Sequence, residues 1–302
     1  MSKLGWSTVR VAMLVSAVWL AYPSAAVAGP VTLGSAQSFA VLGGAGVAVN
    51  GTCCTVISGN LGDYPLALSS ITGFPTPGSL VNGSFYALNS LPIIAKQARD
   101  DKNAAYLVLA GLPSGFDESG TILGTGGTVS SLTPGVYSFS SSAQVDGTLT
   151  LDFTGAPINS AFVFQIGSTL TTGSSAAIHV IGGDSTDSIY WQVGDSATLG
   201  SFTAFAGNIL ALHAITLDPS ASIACGRAFA YTDSLTMATT NFISDNCSLD
   251  NTATGYSPTG TTDFGSYGFS GGNAAAAVPE PGTLLLLGIG LVVVGVKRSS
   301  RA

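Results

Sequence analysis

Phe162-Val163-Phe164-Gln165-Ile166-Gly167 is echoed 27 residues later by Ile189-Tyr190-Trp191-Gln192-Val193-Gly194. Each hexapeptide is followed by a shorter stretch, Leu170-Thr171-Thr172 and Ala197-Thr198-Leu199. The short stretch recurs as Leu149-Thr150-Leu151, Ile215-Thr216-Leu217 and Leu235-Thr236-Met237, so threonine stands at 150, 171, 198, 216 and 236, with gaps of 21, 27, 18 and 20. A repeat of about 20 residues, with short strands and Gly-rich corners, is the mark of a β-solenoid. No coil buries its own apolar face, so stacked coils share one core. Side chains alternate along a strand. If Leu149 and Leu151 point inward, Thr150 points outward. Thr150, Thr171, Thr198, Thr216 and Thr236 are therefore read as one outward column, spaced by the ~4.8 Å between strands. A single threonine needs no such reading, since it is a good exposed β residue. The information lies in the aligned column.

Outward from this core, residues 31–81 read as short strands and turns, among them Phe39-Ala40-Val41-Leu42 and Val56-Ile57-Ser58, with a turn cluster at Gly73-Phe74-Pro75-Thr76-Pro77-Gly78. Residues 84–110 are different: Leu88, Leu91, Ala95, Ala98, Ala105 and Leu109 recur at helical spacing. The expectation is one helix over about 84–110, with Pro92 either kinking it or marking its true start. At 1.5 Å per residue it spans ~40 Å, enough to lie along the solenoid.

Charged residues make up 8% of the 302-residue chain, against about 25% in ordinary globular proteins, and mean hydropathy is +0.47. Away from the two ends no apolar run reaches the ~20 residues that span a bilayer. The net charge is −7, and from Gly29 to Val278 the basic residues are Lys96, Arg99, Lys102 and Arg227 alone. A body so poor in cations cannot neutralise a phosphate backbone, which argues against nucleic acid as a partner.

Lys3 and Arg10, the apolar run Val11 to Ala21 and the small residues Ala26-Val27-Ala28 form a secretory signal peptide over 1–28. Residues 29–249 form the solenoid domain. The segment 250–277, rich in Gly, Ser, Thr and Ala, reads as a flexible linker. Export makes disulfides permissible. Cys225 and Cys247 sit 22 residues apart, about one coil, and are the favoured staple. Four cysteines allow three connectivities, and adjacent Cys53 and Cys54 leave the choice open.

Enzyme signatures are weak. Asp184 and Asp187 form a carboxylate pair of the kind used in glycoside hydrolysis, but Gly182-Gly183-Asp184-Ser185-Thr186-Asp187 reads better as a polar turn. His179 and His213 lack acidic or nucleophilic neighbours in sequence. Arg227 reads as a tether to carboxylates or main-chain carbonyls rather than a substrate ligand. With no nucleophile, metalloprotease or phosphate-loop motif, the expectation is a non-enzyme without cofactor or metal. Tyr190 and Trp191 alternate in direction, so one of them is expected to face outward, where aromatics serve carbohydrate binding.

Two resemblances add to this reading. Val278-Pro279-Glu280-Pro281-Gly282, the apolar run Thr283 to Val296, and Lys297, Arg298 and Arg301 together resemble the PEP-CTERM sorting signal of Gram-negative bacteria, over 278–302. That implies processing by an exosortase-type enzyme, transient inner-membrane anchoring through 283–296, and delivery to the cell surface or exopolysaccharide matrix. In the body, Leu33-Gly34-Ser35-Ala36-Gln37-Ser38-Phe39, Ile57-Ser58-Gly59-Asn60-Leu61-Gly62, Leu132-Thr133-Pro134-Gly135-Val136-Tyr137, Trp191-Gln192-Val193-Gly194 and Gly207-Asn208-Ile209-Leu210-Ala211 resemble the ice-binding family once labelled DUF3494. The resemblance implies an all-β, right-handed, discontinuous β-helix with one long helix packed alongside, and adsorption to the ice lattice through a flat face. It also implies loop motifs of the form Thr-Ala/Gly-x-Thr/Asn, on which basis Ser175, Thr203, Ser222 and Asn241 form a second candidate column. Phe202 and Asp218 would roughen or charge the face if they project from it. The alternative function is a surface adhesin or matrix protein on the same fold, with exopolysaccharide as its partner.

Overall fold

The computed structural model describes residues 31–51, 54–74, 80–81, 83–183 and 186–245. Its strands pair in parallel throughout the coils. Ala161–Ile166 lies between Gly135–Phe139 and Ser188–Val193, Leu170–Thr172 between Ala143–Val145 and Ala197–Leu199, and Ala177–Ile181 between Thr148–Asp152 and the start of Ala204–Ala211. One coil, residues 161–181, thus runs along three faces in turn. The first face holds the long apolar strands, the second the three-residue Thr strands, and the third closes the triangle. Further on, the chain turns the corner from third to first face within a single strand. In Ser222–Ala230, Ser222 and Ile223 pair with Phe242 and Ile243, whereas Cys225 to Ala230 pair with Ala206 to Ala211.

The coils do not stack in chain order. Phe39–Gly43 pairs with Ser222–Ala230, Val47–Val49 with Leu235–Met237, and Val56–Ser58 with Phe242–Ser244. The N-terminal coils therefore sit on the C-terminal ones. The stack runs 116–132, 135–152, 161–181, 188–204, 206–223, 225–243, 39–57 and 60–81, with Phe85–Tyr86 against Asn60–Asp63 at the end. This is the β-solenoid that the repeat predicts, and its stacking is discontinuous, as the family resemblance implies.

The helix Pro92–Ala110 carries the chain back along the first face. Its 19 residues rise ~28 Å, about six coil spacings. It begins eight residues later than expected. Phe85–Tyr86 is already used as a strand, and Pro92 takes the first helical turn, where its missing N–H is harmless. The residue before a proline is steered away from the α region, and Leu91 adopts a left-handed φ of 51°. Leu88 and Leu91, expected on the buried stripe, are consequently exposed.

The buried stripe that does form is Ala95, Ala98, Lys102, Ala105 and Leu109. Its alanines let the helix approach the sheet closely. Beneath lie Leu42, Val136, Val163, Tyr190, Leu210 and Phe229, the outward side chains of the first face. The pair Tyr190 and Trp191 does alternate, but neither reaches solvent: both are 0% exposed. Tyr190 points away from the solenoid axis into the helix layer and donates to Val31 O. Trp191 points inward, stacks on Phe164 at 3.8 Å and donates Nε1 to Ala206 O at 3.1 Å. The expected outward aromatic is absent because the helix covers the face that would present it.

Three buried charged groups hold the helix side together. Arg227 donates Nε to Gln37 O at 2.9 Å and Nη1 to Asn208 Oδ1 at 3.2 Å, tying the N-terminal segment to the first face. Lys102, 2% exposed, donates Nζ to Ala230 O. Burial pushes its pKa down to about 7, partly opposed by the charge of Asp63. Burial raises the pKa of Asp63, which accepts a hydrogen bond from the Ser70 hydroxyl. Cys54 and Cys225 are both disulfide-bonded. The expected partner of Cys225, Cys247, lies outside the described residues, as does Cys53. No helix among the described residues is long and apolar enough to cross a membrane.

Candidate functional site

Six of the eight second-face strands are in-out-in triplets, and the terminal two, Ile122–Leu123 and Ile71–Thr72, have two residues each. The outward residues are in direct register: Ile122, Gln144, Thr171, Thr198, Thr216, Thr236, Ala48 and Thr72, on eight successive coils. The column carries no charge, and four consecutive members are threonine. Leu170, Ile215, Leu217, Leu235 and Met237 on either side of it point into the core. β-Branching leaves threonine few rotamers, so a hydroxyl and a methyl are presented in repeated orientation. Main-chain bonds place Thr169, Ser196, Ala214 and Ser234 on one flank and Asp146, Gly173, Asp218, Ala238 and Asn50 on the other. These residues are short, so the face is level around the threonines.

The structure regroups the predicted residues. Thr171, Thr198, Thr216 and Thr236 stand together, but Thr150 does not join them. It pairs with Ser131 and His179 on the third face. The Leu-Thr-Leu pattern arises wherever a strand alternates in and out, on either face. The 21-residue gap from 150 to 171 crosses between faces, whereas the true preceding position is Gln144, 27 residues before Thr171. Gln144, Ile122, Ala48 and Thr72 were missed. Val47-Ala48-Val49 carries the triplet pattern, but only the out-of-order stacking brings it next to Thr236.

The second candidate column does not form. Thr203 and Asn241 are each 1% exposed and point inward, at corner positions occupied by Ala176 and Ala221 in the neighbouring coils. Ser175 is exposed one residue earlier in its corner, at φ 60°, matching Phe202, Ser220 and Thr240 at φ 62°, 63° and 53°. Ser222 starts the third face and donates to Thr203 O. The loop motif thus mixes inward and outward positions. Phe202 is 65% exposed at its corner, and Asp218 is half-buried on the flank of the threonine column.

The other faces are less regular. The helix covers the first. On the third, Ser131, Thr150 and His179 form one row, and Ala177, Ala204, Ser222, Phe242 and Val56 another, mixing small, aromatic and ionisable side chains. Of the polar residues weighed for catalysis, Asp187, His213 and Arg227 have structural partners. Asp187 is buried and accepts the Ser160 amide at 2.9 Å, while Asp184 lies outside the described residues. His213 Nδ1 lies 2.9 Å from Thr232 Oγ1 and 3.8 Å from Asp233 Oδ2. Among the described residues no three His, Cys, Asp or Glu side chains gather as a metal site.

Residues 41–243 match the ice-binding-like family, and residues 277–299 match the PEP-CTERM protein-sorting motif. An ice-binding protein of Nostoc sp. (strain HG1) is 43% identical over 261 residues, 86% of this chain and 83% of the relative. A solved ice-binding protein from an Antarctic biological consortium superposes with TM-score 0.62 at 38% identity, covering 72% of this chain and 92% of that one. The DUF3494 domain of Shewanella frigidimarina ice-binding protein 1 gives TM-score 0.63 at 30% identity, over 72% of this chain and 98% of that one. Matched over most of its solenoid in sequence and in fold, the chain belongs to the ice-binding-like family.

Proposed function

We propose that this protein adsorbs to ice through its second solenoid face, with Thr171, Thr198, Thr216 and Thr236 at the centre and Gln144, Ala48 and Thr72 extending the row. The observation that carries this is the register itself: four uncharged, rotamer-restricted threonines on consecutive coils, ~4.8 Å apart. The hydroxyls hydrogen-bond water, and the methyls favour ordered water around them. Charged side chains would hold hydration shells of their own. Each contact is weak, so the array must be rigid before binding. Parallel coils supply that rigidity, and little ordering entropy is lost on adsorption. Adsorbed molecules curve the growing ice front, which hinders growth and recrystallisation.

The PEP-CTERM match supports export and display at the surface of a Gram-negative cell. Exosortase processing near Pro279-Glu280-Pro281 and transient anchoring through 283–296 belong to the same proposal, as does residence in an exopolysaccharide matrix. The test is to follow fluorescently labelled protein on a growing single ice crystal. The protein should coat the crystal and survive exchange of the surrounding solution, and Thr216→Tyr should not coat it. Wild-type protein that stays in the liquid refutes the proposal.

A further inference from the structure

Four corners join the second face to the third: residues 173–176, 200–203, 218–221 and 238–241. They stack through main-chain bonds, Ser175 N to Ser201 O, Phe202 N to Pro219 O and Ser220 N to Thr239 O. Their last, buried residues alternate between alanine and a polar group: Ala176, Thr203, Ala221 and Asn241. Thr203 and Asn241 grip the corner of the preceding coil, and Thr172 grips that of the following one. Gly200 N–H donates to Thr172 Oγ1 at 2.9 Å, Thr172 and Thr203 hydroxyls share a 2.7 Å bond, and Thr203 Oγ1 donates to Gly173 O at 3.3 Å. Asn241 Nδ2 donates to Asp218 O at 2.7 Å and Ala221 O at 3.0 Å.

The gripped residues Gly173, Gly200 and Asp218 lie two residues beyond Thr171, Thr198 and Thr216, just past the ends of their strands. Each alanine corner is thus clasped from the next coil: 173–176 by Thr203, and 218–221 by Asn241. We propose that Thr172, Thr203 and Asn241 are positioning residues, which level the corners and so keep the threonine column flat enough to match ice. This inference rests on the ice-adsorption reading of the second face. It assigns to Thr203 and Asn241 a role opposite to surface contact: they act from inside the solenoid, through the backbone.

The variant Thr203→Ala/Asn241→Ala places alanine at all four corners. The fold already builds two of these corners with alanine, so the solenoid is expected to form, as circular dichroism will show. Ice capture is measured near 0 °C on protein that circular dichroism shows folded at that temperature, so a mere loss of stability leaves capture unchanged. The expected result is a fall in ice-captured protein of about tenfold, with Thr203→Ser, which keeps the hydroxyl, close to wild type. Capture equal to wild type in the folded double variant overturns the proposal. If the double variant does not fold, Thr203→Ala alone decides by the same criterion. The parent reading is tested separately by Thr198→Tyr. If wild-type protein is captured and Thr198→Tyr is not, but the alanine variant is, only the positioning role fails. If wild-type protein is not captured at all, the ice reading fails, and the inference with it.

Discussion

Lys102 makes stability depend on pH in a direction opposite to that of most paired lysines. Its ammonium sits at the helix–solenoid interface with Asp63, Arg99 and the Tyr231 ring as its charged and aromatic surroundings. Burial lowers its pKa from 10.5 to about 7. The unfolded chain holds the proton up to ~10.5, whereas the folded protein releases it near 7, so stability rises with pH across that window. At 1.36 kcal/mol per unit, integrating from pH 7 to 9 gives a gain on the order of 2 kcal/mol. For a domain of this size ~1 kcal/mol moves Tm by about 2–4 °C, so Tm should rise by ~4–8 °C over those two units. Asp63 has the opposite sign: its raised pKa contributes stability on the acid side that is lost as pH rises through the folded value. Lys102→Met isolates the lysine contribution, and its Tm should be flat over the same interval. Thermal melts in buffers of matched ionic strength read the effect. A wild-type Tm that is flat or falls from pH 7 to 9, or a rise that persists in Lys102→Met, refutes this account of the interface.

Three further outcomes follow from the packing and the face. Tyr190→Phe removes the donor to buried Val31 O and should cost ~1–3 kcal/mol, seen as a lower denaturant midpoint with ice capture retained. Gly226→Ala should prevent folding or lower expression sharply: Gly226 has φ 151°, and an added Cβ would stand 2.0 Å from Gly207 O. Gln144→Thr lengthens the threonine row by one coil and should raise thermal hysteresis over wild type at equal concentration.

Much of the architecture was legible in the sequence because its signals are local. Alternation in Leu235-Thr236-Met237 and the echo of 162–167 in 189–194 each fix a strand and its inward side. Stacking order was not legible, because pairing of Phe39–Gly43 with Ser222–Ala230 joins segments about 190 residues apart. That long-range step hid Ala48 and Thr72 from the column. Thr150 was misplaced for a related reason: alternation tells in from out but not one face from another, and face identity depends on where the chain turns its corners. Thr203 and Asn241 were misread because polar residues in loops are usually exposed. Here the left-handed residues at 202 and 240 turn the next side chain back into the core, where the corner carbonyls need donors.

The central claim is that the second face, and no other, meets ice. Thr198→Tyr and Thr150→Tyr place the same bulk on the second and third faces, at residues that sequence alone had put in one column. Partition of each variant into slowly grown ice, compared with wild type, should show Thr198→Tyr left in the liquid and Thr150→Tyr retained in the ice. Retention of Thr198→Tyr with exclusion of Thr150→Tyr would contradict the account.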